Sequence, residues 1–211
     1  MQDTKKQNTK TSLLRAAERL FAERGFGNVT GKDILRAAGA RNESALQYHF
    51  GDMRALMREV FDSRFQTIEE ARLARFAELD ANGLGHDLEA LIFASVAPFF
   101  EGCLDEDGRL YARFCVQFST DPGFNLRNVV EQMDIESMVL LRKRLLKCLD
   151  HMPEAALNTR FRLGFSISLI QVADFARQLE EGAAPPLEEA INEAAAGICG
   201  YLSTPPLNGR I

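Results

Sequence analysis

A chain of 211 residues with 46% hydrophobic and 26% charged residues has the composition of an ordinary globular protein. No run approaches the roughly 20 consecutive apolar residues of a membrane helix, and no apolar stretch follows Met1-Gln2-Asp3-Thr4-Lys5-Lys6, so neither a spanning segment nor a signal peptide is expected, and the expected location is cytoplasmic. The net charge of −5 speaks against nucleic-acid binding, but its distribution points the other way: residues 1–64 hold 12 Lys and Arg against 8 Asp and Glu, a net of +4, whereas residues 65–211 hold 13 against 22, a net of −9. A basic head on an acidic body is the footprint of a protein whose head alone meets phosphate.

Gly and Pro divide the chain into segments of helical periodicity. The first predicted helix runs from about Thr11 to Arg24, with Leu13, Ala17, Leu20 and Phe21 on one face, and stops at Gly25. Thr30 caps a short second helix that turns Ile34, Leu35 and Ala38 inward and ends at Gly39. A third spans Asn42 to His49, with Asn42 as its cap and Glu43 suited to the positive end of its dipole. Asp52 to Asn82 contains no Gly or Pro and carries the stripe Met53, Leu56, Met57, Val60, Phe61, Phe65, Ile68. A helix of that length reaches about 42 Å and can join two modules. Further helices are expected up to Leu104 with a bend near Pro98, through Phe118, from Leu126 through Val130, Met133, Leu141 and Leu145 to Leu149, from Pro153 to Glu181, and from Pro186 to Ser203. The fold class is all-α with about nine helices. Residues 1–51 form a helix-turn-helix head with a short basic arm, and 52–211 form a ligand-binding and dimerisation body.

Val29 to Phe50 carries the specific signal. Two short helices around the turn Ala38-Gly39-Ala40-Arg41 make a helix-turn-helix. The third helix presents Glu43, Ser44, Gln47 and Tyr48 outward, polar side chains of the kind that read base edges. Spacing alone fits equally the solvated face of an ordinary three-helix bundle.

Here the residues resemble a known family. Leu13 to Phe26, Val29 to Gly39 and Asn42 to Gly51 are similar to the first three helices of the tetracycline-repressor family, and Arg54-Ala55-Leu56 resembles the start of its connecting helix. The resemblance implies an operator-binding homodimer, with Thr30 and His49 on phosphate and Ser44, Gln47 and Tyr48 near bases. Lys32, Arg41 and Asn42 complete the expected DNA-facing set. Three features depart from the family pattern: an extra turn residue at Ala40-Arg41, Gly31 in place of an apolar residue, and Met53 in place of a phosphate-binding Lys. Arg54, or Lys5, Lys6 and Lys10, could substitute for that Lys.

In the body, Phe99, Phe100, Tyr111, Phe114, Phe118 and Phe165, with Arg113, Gln117 and Gln171 among them, are the candidate lining of an effector pocket, or else a packed aromatic core. Phe161, Phe165, Val172, Leu187, Ile191, Ala195 and Ile198 are the candidate dimer interface, in which two helices pair with their symmetry mates. Cys103, Cys115, Cys148 and Cys199, separated by 12, 33 and 51 residues, fit no zinc spacing and read as small hydrophobes or a redox pair. The three histidines form no metal motif, and no nucleophile elbow or phosphate loop occurs, so no metal, cofactor or enzymatic activity is expected. The implied function is a repressor released from a palindromic operator by a small apolar or aromatic ligand. The alternative is a helix-turn-helix protein without an effector.

Overall fold

A computed structural model of the chain describes residues 2–40, 42, 44–121 and 135–205, with side chains from Gln7 onward. Among them are nine α-helices: α1 (Gln2–Arg24), α2 (Gly31–Ala37), α3 (Ala45–Phe50), α4 (Met53–Ala81), α5 (Leu88–Gly102), α6 (Glu106–Thr120), α7 (Glu136–Cys148), α8 (Glu154–Glu181) and α9 (Leu187–Ser203). A single 3-10 turn, Phe26–Asn28, joins α1 to α2. The expected helix from Leu126 is observed from Glu136 onward; Leu126, Val130 and Met133 lie outside the described residues.

The breaks fall where backbone chemistry demands them. Gly39 adopts φ +63°, a left-handed conformation that costs Gly little, and Ala40 N–H then bonds Leu35 C=O in a closing turn behind α2. α1 starts nine residues before the expected Thr11. Its first turns carry no apolar stripe but contain residues of adequate helix propensity, which periodicity overlooks. The opposite case is Gly108, a residue type that usually marks a break. It lies in the first turn of α6, where its N–H bonds the capping Asp105 carboxylate at 2.7 Å. A Cβ there would come within 1.6 Å of the Gly102 carbonyl, so close approach of α5 and α6 requires glycine.

α5 is buried almost all round, from Leu91 to Phe100, and packs against α4, α8 and α9, which makes it the central rod of the body. Pro98 sits inside it. The buried apolar residues form one continuous cluster from Leu13 to Leu202, so the first half of α4 (Leu56, Met57, Val60) belongs to the same core as the head. No described helix is long and apolar enough to cross a membrane.

Candidate functional site

The head presents a short, rigidly held α3. Thr30 and Asp33 cap α2 reciprocally: Asp33 N–H bonds Thr30 Oγ1 at 3.3 Å, and Thr30 N–H bonds the Asp33 carboxylate at 3.0 Å. The Thr30 hydroxyl also donates to that carboxylate, and these bonds hold Asp33 below the ordinary aspartate range. Ile34 and Leu35 anchor α2 from beneath. Gly31 stands where Leu46 and Met53 converge: a Cβ would meet Leu46 Cδ1 at 3.2 Å. The missing apolar side chain and the unusual Met53 are therefore one packing solution, with Leu46 and Met53 filling the space that Gly31 leaves. Asn42 does not cap α3 as a helix residue. Its Oδ1 accepts from Ser44 N–H at 3.0 Å, which tightens the turn so that α3 begins at Ala45.

Ala45 and Phe50 pin α3 to the core, while Ser44, Gln47 and Tyr48 lie exposed; Tyr48 has 67% of its surface open to solvent. Thr30 and Lys32 are exposed on the same head, and His49 is half-buried between the rings of Tyr48 and Phe50. Arg41 and Glu43 lie outside the described residues. Lys10 pairs with Glu59 and sits over the Phe50 ring at 5.7 Å, which ties it into the head, whereas Arg54 is exposed.

A second set of contacts joins α1 and the turn after it to α4 and α6. Phe26 meets Phe114 at 5.4 Å, Phe61 stacks on Phe118 at 5.0 Å, and the Tyr111 hydroxyl donates to Phe61 C=O at 2.7 Å. Gln117 Nε2 donates to Ala22 C=O at 3.2 Å. Around this aromatic joint, Arg64 of α4 bonds Glu18 of α1 at 2.7 Å and Asp107 of α6 at 3.1 Å, and Arg19 meets Glu106 at 3.3 Å. Burial pushes the Glu18 carboxyl above the usual range even with Arg64 beside it.

The third feature is a cavity of about 30 Å³ among α4, α5, α7, α8 and α9, walled by Met138, Leu141, Phe161, Phe165 and Ile198 and by one cation, Arg72. Arg72 is 1% exposed. Its Nη1 donates to Glu69 at 3.2 Å and to Ser137 Oγ at 2.9 Å, and its Nε to Ser95 C=O at 2.9 Å. The guanidinium lies 5.4 Å from the Phe99 ring centroid and 5.9 Å from that of Phe65. Burial lowers its pKa to about 10, still cationic at neutral pH. Sequence reading missed this cluster. The available signal was a charged pair, Glu69 and Arg72, interrupting the apolar stripe between Phe65 and Phe76 of a helix whose inward face is otherwise hydrophobic.

The predicted ligand set therefore divides. Phe165 lines the cavity and Phe99 packs beside it. Phe114, Phe118 and Gln117 pack or bond against Phe21, Phe26 and Ala22, while Tyr111 is buried against Phe61 of α4. Phe100 and Gln171 line a separate groove between α8 and α9, near Asp174 and Glu193. Arg113 forms a bidentate pair with Glu180 at 2.8 and 2.9 Å and is not among the residues that wall the Arg72 cavity. Of the predicted dimer set, Val172, Ile191, Ala195 and Ile198 are buried in the protomer's own core, and Phe161, Phe165 and Leu187 are half-buried. The stripe is real but faces inward. The outward face of α8 carries Leu163 (43% exposed) and Ile170 (53%), with Ile167 and Ala173 half-open, and the outward face of α9 carries Ala196, Gly197 and Gly200. All four cysteines are free.

A capped helix-turn-helix with an exposed second helix, joined by one long helix to an all-helical body, defines the architecture of a helical transcription regulator. Known proteins agree: residues 13–60 match the family described as bacterial regulatory proteins, tetR family, and residues 94–200 match the tetracyclin repressor-like C-terminal domain. The chain belongs to the tetR family. Two similar relatives, both from Pseudomonas putida, are the HTH-type transcriptional regulator TtgR and the probable HTH-type transcriptional regulator ArpR, each 32% identical over 79 residues. Those 79 residues are 37% of this chain and 37% of each relative. A TetR family transcription regulator from Marinobacter aquaeolei VT8 superposes with a TM-score of 0.62 at 17% identity, covering 95% of this chain and 98% of that one. A transcriptional regulator from Rhodococcus sp. Rha1 gives 0.50 at 21% identity, covering 93% and 99%. At these identities the likeness is one of fold.

Proposed function

We propose that the chain is a homodimeric repressor that reads a palindromic operator with α2 and α3 (the head, residues 1–51) and is released when a small, largely apolar molecule enters the body (residues 52–211). The observation that carries the reading is α3 itself: six residues pinned by Ala45 and Phe50, with Ser44, Gln47 and Tyr48 open to a groove. Thr30, Lys32 and the α2 N-terminus lie beside it for phosphate, and Arg41, Asn42 and His49 complete the proposed contact surface. The outward faces of α8 and α9 supply the dimer contact. Leu163, Ile167 and Ile170 are apolar, and Gly197 and Gly200 permit close approach. Nothing in this arrangement calls for catalysis.

Release follows from connectivity. α4 leaves α3 through Gly51, borders the cavity at Arg72, and bonds α1 through Arg64. A guest that widens the cavity displaces α4 or α7 and so alters the separation of two recognition helices, which the DNA repeat holds at about one helical turn. The coupling equals the guest's differential affinity for the two states, about 1–3 kcal/mol in typical cases. A cavity of about 30 Å³ holds roughly one water, which favours as second reading a regulator controlled by a partner or constitutively active.

The test is DNA affinity against salt and sequence. Binding should weaken steeply as salt rises, because neutralised phosphates release counterions. Gln47→Ala should lose about 1–3 kcal/mol on the preferred site and little on random DNA. Equal loss on both would move Gln47 to a phosphate contact.

A further inference from the structure

The hydrogen-bonding capacity of the cavity wall can be counted group by group. Arg72 spends Nε on Ser95 C=O and Nη1 on Glu69 and Ser137; Nη2 meets no hydrogen-bond partner among the described residues. Glu69 is fully engaged. Its Oε1 accepts the Ser137 backbone N–H at 2.7 Å, near the N-terminus of α7, and its Oε2 accepts from the Ser137 hydroxyl and from Arg72. The Ser95 and Ser168 hydroxyls donate back into their own helices, to Ile92 C=O at 2.8 Å and Phe165 C=O at 2.7 Å. What the wall offers a guest is one unspent cationic donor on an apolar surface, and the charge of that donor is already balanced by Glu69.

We infer that the guest of this cavity is an uncharged, largely apolar molecule bearing one carbonyl or hydroxyl oxygen, which accepts from Arg72 Nη2. The inference deepens the effector reading above and rests on it. Each alternative chemistry meets a physical obstacle. An anion would leave the enclosure with net negative charge beside Glu69, and an uncompensated charge in an apolar interior is costly. A cation would find the Glu69 carboxylate already accepting three hydrogen bonds and would stand next to a guanidinium. A hydrocarbon would bury Nη2 without an acceptor, and a site built to hydrogen-bond a guest discriminates strongly against the analogue that lacks the polar atom. Arg113, the cation among the candidate lining residues, is held by Glu180 at the surface, so a guest with an anionic end has no partner there either. The enclosed volume is far below the roughly 300 Å³ of ordinary ligand sites, so the guest opens the cavity as it binds. Phe161 and Phe165, both half-buried, are the lining side chains with access to solvent.

The test uses four probes of closely similar shape that differ at the head group: 4-phenylbutan-2-one, 3-phenylpropanoate, 3-phenylpropylammonium and butylbenzene. Each is titrated calorimetrically into the full-length protein and into the double variant Glu69→Leu/Arg72→Met. The ketone should bind the wild type at least about tenfold more tightly than the other three, a typical step for one hydrogen bond to a charged group. In the double variant its advantage over butylbenzene should shrink to about twofold. The proposal is overturned if the carboxylate or the ammonium matches the ketone in the wild type, if the ketone keeps its full advantage in the double variant, or if no probe binds. Operator affinity measured with each bound probe separates this from the broader reading. A charged probe that shifts operator affinity would sink the inference and leave the effector reading standing. A ketone that binds as expected yet leaves operator affinity unchanged would do the reverse.

Discussion

The Arg72 guanidinium and the Glu69 carboxylate are both buried and reciprocally bonded through Ser137. Removing one charge strands the other: Arg72→Met should cost about 3–5 kcal/mol, the usual penalty for an unpaired buried ion. Replacing both with apolar residues of similar reach should be close to neutral. Urea unfolding of Arg72→Met and Glu69→Leu/Arg72→Met checks this through the midpoint, and equal destabilisation in the two variants would show that the pair supplies more than mutual compensation. In the sequence, Glu69 and Arg72 interrupt the apolar stripe between Phe65 and Phe76, but nothing local shows that they are buried. Charge alone does not reveal burial, because burial here depends on α5 and α7, which approach from far along the chain.

Among the elements, α2 gives the clearest coupling of local chemistry to the proposed DNA surface. Thr30→Ala should lose about 1 kcal/mol of stability by removing the cap. The Asp33 half of the cap responds to pH with a definite sign. Its folded carboxyl titrates below the unfolded one, so its contribution is present above the ordinary aspartate range and is lost as pH falls through the lowered value. Amide protection factors at Ile34 and Leu35, taken relative to the intrinsic exchange rate at each pH, should therefore fall on acidification in wild type, and Asp33→Asn should flatten that response. An unchanged response in Asp33→Asn would place the acid sensitivity elsewhere.

The helices themselves are legible in the sequence because their boundaries are written in local residues: Gly25, Gly39, Gly51, Pro153 and Gly182 each end or begin an element where expected. The faces are less legible. α8 and α9 each carry apolar residues on two sides, and hydrophobic periodicity selects the stronger stripe, which is the core stripe. Ile191 and Val172 therefore read as an interface although both are buried in the protomer, whereas Leu163 and Ile170 are exposed. The aromatic run of α6 misleads for a related reason. A ring packed against other helices and a ring lining a cavity have the same sequence signature, and only the positions of Phe26 and Phe61 distinguish them.

At the scale of the whole molecule, the proposed function requires two protomers to present two copies of α3 to one duplex. Ile170→Asp places a charge on the open face of α8, so it should leave the fold intact while converting dimer to monomer. Ile191→Asp buries the charge in the protomer and should unfold it. Light scattering with circular dichroism reads both outcomes, and a dimeric Ile170→Asp would move the interface off this face.

The most direct measurement is selection of binding sites from a random duplex pool by the purified full-length protein. A two-fold dimer of α3 heads should enrich a single symmetric sequence whose half-sites lie about one helical turn apart, with base preference at each half-site relaxed by Gln47→Ala. Enrichment of an asymmetric single site, or no sequence preference above non-specific binding at physiological salt, would contradict a dimeric operator-reading repressor.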